Sequence, residues 1–224
     1  MKEQTTFSNP AQETVFIVDD DTAICEGLCN LLESVGLTAE HFPSVEDFLQ
    51  HWSRARAGCL VLDVRLPGMT GVEFQDKMQK LGIEVPIIFM TAHGDIPMVR
   101  KVMKAGAIEF LTKPFEIQEL LNAIEQAFAR DREHRMEENI LNSIQSCANT
   151  LTVREREVMA MVTSGLLNKQ IAAELKLSEI TVKLHRRHVM EKMRVASLAE
   201  LVKQCERMQR IGAKISPFET KKKA

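Results

Sequence analysis

No stretch of this chain approaches the roughly 18 consecutive apolar residues that a membrane-spanning helix needs, and the opening MKEQTTFSNPAQET has no apolar signal core. A membrane or exported location is not expected, and the chain reads as cytoplasmic. Cysteine is scarce and unpatterned. The five thiols, Cys25, Cys29, Cys59, Cys147 and Cys205, are odd in number, include no CxxC pair and lie in apolar surroundings. That excludes a disulfide framework and suits reduced cytosolic thiols. Cys25 and Cys29 stand one helical turn apart, but no second thiol or histidine pair is near them, so packing is their expected role. There is no internal repeat. An apolar fraction of 45% and a charged fraction of 27% exclude a disordered chain, while 224 residues suit one large domain or two small ones.

The net charge of −2 hides an asymmetry. Residues 1–146 hold 13 Lys+Arg against 23 Asp+Glu, a balance of −10, whereas residues 147–224 hold 16 against 8, a balance of +8. A basic C-terminal third suits a polyanion such as DNA, and the acidic remainder would be repelled by it.

From Val15 to about Arg130, short apolar runs alternate with helical patterns. The runs VFIV (15–18), CLVLD (59–63) and VPIIFMT (85–91) are continuous, as buried parallel strands require. TAEHF (38–42) and IEFLT (108–112) complete five strands, and Ile24, Leu28, Leu31, Leu32 and Val35 mark a helix between the first two. This order predicts a doubly wound α/β fold with a five-stranded parallel sheet, whose active groups gather at the carboxyl edge. After Pro114 the chain runs on without Gly or Pro and becomes densely charged past Ala129, as a last helix extended into a connector would. From Leu151 the pattern is all-α, with four helical segments. Thr152 with Glu155, and Ser197 with Glu200, fit capping boxes; Gly165 fits the end of the first segment and Ser178 the start of the third. The expected boundaries are a tail at 1–14, an α/β domain at 15–130, a helical linker at 131–147, a helical domain at 148–210 and a tail at 211–224, its KKKA end solvated.

The first strand ends in Asp19, Asp20 and Asp21, and the third ends in Asp63. If those strands are adjacent, the carboxylates meet at one edge and demand a cation. Ligation by oxygen alone points to magnesium. The fourth strand ends in Thr91, a small hydroxyl donor, and the fifth is followed by Lys113-Pro114, whose ammonium can neutralise a phosphoryl oxygen. A lone strand-end Asp is ordinarily a helix cap, and a lone Thr or Lys a surface residue. Their occurrence together at successive strand ends describes phosphoryl transfer to an aspartate, where positioning and charge neutralisation carry most of the catalysis.

The strings VDDD, LDVRLPGMTG, MTAHGDIPM and AGAIEFLTKPF resemble the signature of flavodoxin-like response-regulator receiver domains, especially the FixJ subgroup, over about residues 15–130. The resemblance implies that Asp63 is the phosphoacceptor, supplied by a sensor histidine kinase. It further implies that Asp20 is a direct Mg2+ ligand, that Asp19 acts directly or through water, and that Arg65 offers its backbone carbonyl. Thr91 and Phe110 would be a switch pair and Lys113 the phosphate partner, with a cis Lys113-Pro114 bond. Arg65 and His93 occupy positions that in this family tune dephosphorylation.

In LLNKQIAAELKLSEITVKLHRRHVMEKM a short helix (about 168–175) and a longer one (about 179–193) flank a tight connection, which is helix-turn-helix spacing. At about 100° per residue, Val182, His185, Val189 and Met193 share an inward arc, while Lys183, Leu184, Arg187 and Glu191 lie opposite and Arg186 at the margin. Lys183 and Arg187 are like charges one turn apart, costing roughly 0.2 to 0.5 kcal/mol unless an anion joins them. The segment from Leu151 resembles the four-helix LuxR-type DNA-binding domain. That resemblance implies double-stranded DNA as partner, with Lys183, Leu184 and Arg187 at base edges and Lys169, Thr181 and Arg186 at phosphates. It makes the helix after Ser197 a dimerisation helix.

The expected function is a transcription regulator of a two-component system, an activator working with RNA polymerase, that dimerises on phosphorylation and is not an enzyme. The expected dimer surface is the fourth helix and fifth strand, where Arg100, Lys101 and Lys104 face Glu109, with apolar contacts from Val99 or Met103. Two rivals are a metal-dependent phosphohydrolase, which needs a second Asp where this chain has Arg65, and a phosphorylation-independent DNA-binding protein, which would not need the intact receiver set.

Overall fold

The computed structural model describes residues 13–66, 69–92 and 96–212, and these form two compact units that divide between Arg135 and Met136. His93 and the KKKA tail lie outside the described residues.

The first unit holds β1 (Thr14–Val18), α1 (Thr22–Ser34), β2 (Thr38–Phe42), α2 (Val45–His51), β3 (Gly58–Asp63), β4 (Arg65–Leu66), β5 (Met69–Thr70), α3 (Gly71–Lys80), β6 (Ile87–Thr91), α4 (Ile96–Lys104), β7 (Glu109–Thr112) and the start of α5 (Ile117–Asn149). Five strands pair in parallel in the order β2-β1-β3-β6-β7, while β4 and β5 make a separate two-residue antiparallel ribbon. The central strands are apolar on both faces because each face meets helices. Val15, Ile17, Cys59, Val61, Ile88 and Met90 pack with α1 and α5, and Phe16, Val18, Leu60, Leu62 and Phe89 pack with α2, α3 and α4. Period-two alternation between two apolar layers is what makes the sequence read as unbroken runs. Helix starts follow local chemistry: the Asp21 carboxylate accepts from the Ala23 and Ile24 amides, and Ser44 Oγ accepts from Asp47 N at 3.1 Å.

The amino edge of the sheet is closed by a buried acid. Asp131, only 2% exposed, accepts from Gly58 N at 3.0 Å and from Arg135 Nε at 2.6 Å, while Arg135 also donates to the Arg54 carbonyl at 2.8 Å and to the Arg56 carbonyl. Gly58 must be glycine. Its φ is +152°, and a Cβ would sit 1.9 Å from the Thr14 carbonyl oxygen. Residues 131–135, which charge density assigns to the linker, are thus tied to the first unit; a charge is buried here because it is hydrogen-bonded and paired with Arg135.

The second unit contains the end of α5 with α6 (Val153–Thr163), α7 (Asn168–Leu175), α8 (Glu179–Lys192) and α9 (Leu198–Gly212). Its core has one cluster around Ile144, Leu151, Val189, Met193 and Leu201 and another around Val158, Val162, Ile171 and Val182. The Thr152–Glu155 capping box forms in full. The Ser197–Glu200 box is modified: Ser197 Oγ accepts from Glu200 N at 3.2 Å, but the Glu200 carboxylate reaches back to Ala196 N at 2.8 Å rather than to Ser197 N. Lys176, at φ +54°, turns the chain between α7 and α8, and Ser178 caps α8 through Thr181 N.

Candidate phosphoryl-acceptor site and nucleic-acid interface

Strand register builds the first site. Val18 lies opposite Leu62, so Asp19 and Asp63 follow at one level of adjacent strands. Asp63 is opposite Met90, which puts Thr91 one step on, and Thr91 faces Thr112, the residue before Lys113. The Lys113 ammonium spans the two carboxylates, at 2.6 Å from Asp19 Oδ2 and 2.9 Å from Asp63 Oδ2. Burial disfavours the charged amine, but hydrogen bonds to Asp19 and Asp63 outweigh this and hold its pKa above the ordinary lysine value. The second oxygens are also held: Asp19 Oδ1 accepts from Asp21 N at 3.0 Å and Asp63 Oδ1 from Arg65 N at 2.8 Å.

The other members are placed as follows. Asp20 is exposed, Asp19 and Thr91 are buried, Phe110 is half-buried against the α2–α4 side of the core, and the Lys113-Pro114 bond is cis. The Lys113 amide donates to the Thr91 carbonyl at 2.7 Å, joining the hydroxyl and lysine positions through backbone. Arg65 is exposed. Cys25 donates to the Asp19 carbonyl at 3.5 Å; burial, then the Asp19 charge, push its thiol up to about 11, so it packs as a neutral group. Among the described residues no group of three His, Cys, Asp or Glu side chains is clustered as a metal cage. The donor set at the strand ends is nevertheless oxygen alone, and magnesium is commonly held by one or two carboxylates, with water and phosphate oxygens completing its shell.

The second site is the face of α8. Val182, Val189 and Met193 are buried and His185 half-buried, whereas Lys183, Leu184, Arg187 and Glu191 are exposed. Two contacts were not legible from spacing. Arg187 Nε donates to Glu191 Oε1 at 2.7 Å, so the Lys183–Arg187 repulsion is offset within the helix. Arg186 Nη1 donates to Asn168 Oδ1 at 2.6 Å, which fixes the guanidinium against the first residue of α7, beside exposed Lys169. The Thr181 hydroxyl shares a 2.8 Å hydrogen bond with Ser178. Sequence reasoning also passed over Ile180, an outward apolar residue in the first turn of α8. Its phase, one turn before Leu184, was the available signal. No described helix is long and apolar enough to cross a membrane.

Known proteins share both halves. The response regulator receiver domain family matches residues 15–125, and the luxR family of bacterial regulatory proteins matches residues 149–204. Nodulation protein W of Bradyrhizobium diazoefficiens is 50% identical over 192 residues, covering 86% of this chain and 85% of its own. The transcriptional regulatory protein FixJ of Rhizobium meliloti is 40% identical over 190 residues, covering 85% and 93%. The response regulator StyR, in a low-resolution structure, aligns with a TM-score of 0.77 at 49% identity over 88% of this chain and 99% of that one. This chain therefore belongs to the two-component response regulators in which a receiver domain is joined to a LuxR-type DNA-binding domain, and it is a transcriptional regulator rather than an enzyme.

Proposed function

We propose that Asp63 accepts a phosphoryl group from the phosphohistidine of a sensor kinase and that phosphorylation drives dimerisation and DNA binding. The supporting observation is the convergence of Asp19, Asp63 and Lys113 within hydrogen-bonding distance at the carboxyl edge. An Asp63 carboxylate oxygen attacks phosphorus, the P–N bond to the imidazole breaks, and its electron pair returns to the ring nitrogen. Lys113 must leave Asp63 Oδ2 for a phosphoryl oxygen while keeping Asp19, a short displacement within one charged cluster. The Asp19, Asp20 and Asp63 carboxylates and the Arg65 carbonyl would hold Mg2+, which supplies charge neutralisation for the phosphoryl oxygens. Thr91 and Phe110 form the switch pair, with the Thr91 hydroxyl drawn toward the new phosphoryl and Phe110 following it inward.

In the C-terminal domain, Lys183, Leu184 and Arg187 read bases, and Lys169, Thr181 and Arg186 hold phosphates. The DNA-binding domain is assigned to 148–210 and the receiver to 15–130 extended by residues 131–135, which close its amino edge; the rest of 131–147 is the linker, and the protein acts in the cytoplasm as an activator that meets RNA polymerase on DNA. The test is labelling by a small phosphodonor with Mg2+. The parent should label and Asp63→Asn should not; equal labelling of the two would remove Asp63 as acceptor.

A further inference from the structure

Ile180 is 80% exposed, the highest value among the described large apolar side chains, and Leu184, one turn later, is 50% exposed. At about 100° per residue, Ile180, Lys183, Leu184, Arg187 and Glu191 share an arc of about 100°, with Ile180 near its middle. A single exposed apolar residue is ordinary on a soluble protein. Ile180 is not single: it pairs at i, i+4 with a second apolar side chain and is interleaved with cations on the same face. In water that arrangement gains nothing, and an exposed Ile is a weaker helix former than Lys, Glu or Ala.

We propose that Ile180, together with Leu184, reads thymine C5-methyl groups in the major groove and so imposes a thymine requirement on each half-site. The proposal rests on α8 being the recognition helix and adds which base it demands. Lys and Arg recognise guanine, whereas adenine is recognised by the bidentate amides of Asn or Gln, and the sequence of α8 contains neither. Of the two carboxylates of α8 that could accept from cytosine, Glu179 lies outside this arc and Glu191 is engaged by Arg187 Nε. An A·T pair facing this arc is therefore distinguished by its one apolar feature, the thymine methyl. Ile180 also has the right place. Residues in the first turn of a recognition helix reach base edges, and that turn is fixed by Ser178, which accepts from Thr181 N at 3.1 Å.

The full chain, with magnesium and beryllium fluoride, would select from random DNA duplexes, and the enriched duplex would be remade with deoxyuridine for thymidine at one position at a time. This deletes only the methyl group. At one or more positions in each half-site, the parent should bind the uracil duplex about threefold to fivefold more weakly, the loss for roughly one methyl-sized apolar group. Ile180→Ala should lose that methyl effect at one position or more, and Ile180→Ser should select sites with guanine retained and thymine relaxed. Parent affinity unchanged by uracil at every position, or a full methyl effect in Ile180→Ala throughout, would overturn the proposal while leaving the recognition helix in place. Failure to enrich any sequence would overturn the recognition-helix reading and the proposal with it.

Discussion

Lys113 is the residue on which the receiver site turns, because one ammonium bridges Asp19 and Asp63. Lys113→Ala leaves two facing carboxylates at adjacent strand ends, which repel until a cation joins them. The variant should melt several degrees lower than the parent in chelator and recover more of that loss when Mg2+ is added, read by thermal denaturation. It should still accept phosphoryl at Asp63 but transmit it poorly, since the ammonium that would bond a phosphoryl oxygen is lost, while the main-chain bond from residue 113 to the Thr91 carbonyl remains. Full transcriptional response from the variant would remove Lys113 from the switch. None of this needs a reactive thiol nearby: Cys25 and Cys29 are both held above the ordinary thiol range, first by burial.

At the scale of elements, α6 and α8 are joined by a buried carboxylate. Glu155 accepts from Thr152 N at 2.8 Å and from Lys192 Nζ at 2.6 Å, with His188 Nδ1 3.7 Å away. Burial raises its pKa, but the bonds from Lys192 and Thr152 prevail and hold it below the ordinary carboxylate value of 4.5. A lowered folded-state pKa means that its contribution is full above about 4.5 and is lost as pH falls through the lower folded value. Glu155→Ala should therefore destabilise the second unit by about 2 kcal/mol at neutral pH, and the gap from the parent should close on acidification below 4.5 in paired melts. A constant gap would show that packing, not charge, carries the effect. On the proposed face assignment the α7–α8 pair should separate two kinds of DNA contact: Arg187→Ala should cost about 1 to 3 kcal/mol at a particular base, while Lys169→Ala should weaken all sequences and reduce the salt slope by about one. Matching effects would reject the face assignment. These elements were largely legible in the chain, since core parallel strands must be continuous apolar runs and Thr152, Ser178 and Gly165 mark helix ends chemically. Strand β6 begins at Ile87 rather than Val85 because Pro86 has no N–H for the ladder, although its carbonyl still accepts from Leu60 N. Pairings between distant residues were not legible: Asp131 with Gly58 and Arg186 with Asn168 are set by packing, and neither spacing nor charge density announces them.

For the molecule as a whole, phosphorylation should convert a monomer to a dimer through the face of α4 and β7. That face carries more apolar surface than the sequence suggested. Ile96 is 75% exposed and Met103 lies two turns on at nearly the same angle, with half-buried Val99 between them. Exposed Arg100, Lys101 and Lys104 border it, and half-buried Glu109 opens the adjoining strand, so a two-fold interface can set opposite charges across the axis. Such pairs contribute only about 0 to 1 kcal/mol each, so the apolar contacts must decide association and the charges its register. Residues 1–146 carry a balance of −10, from 13 Lys+Arg against 23 Asp+Glu, so two receivers repel at long range, and salt screens that repulsion within roughly 8 Å at physiological ionic strength. Dimerisation of the phosphorylated full chain should accordingly hold or strengthen as salt rises, whereas DNA binding by the +8 region weakens. Sedimentation with and without beryllium fluoride, across a salt series, measures the first; Ile96→Arg should leave phosphorylation intact and the protein monomeric. An isolated receiver for the same measurement should end after Arg135 rather than at Arg130, because Asp131 and Arg135 close the amino edge of the sheet. If that fragment stayed monomeric while the full chain dimerised, the interface would belong to the C-terminal domain, and phosphorylation would act by releasing it.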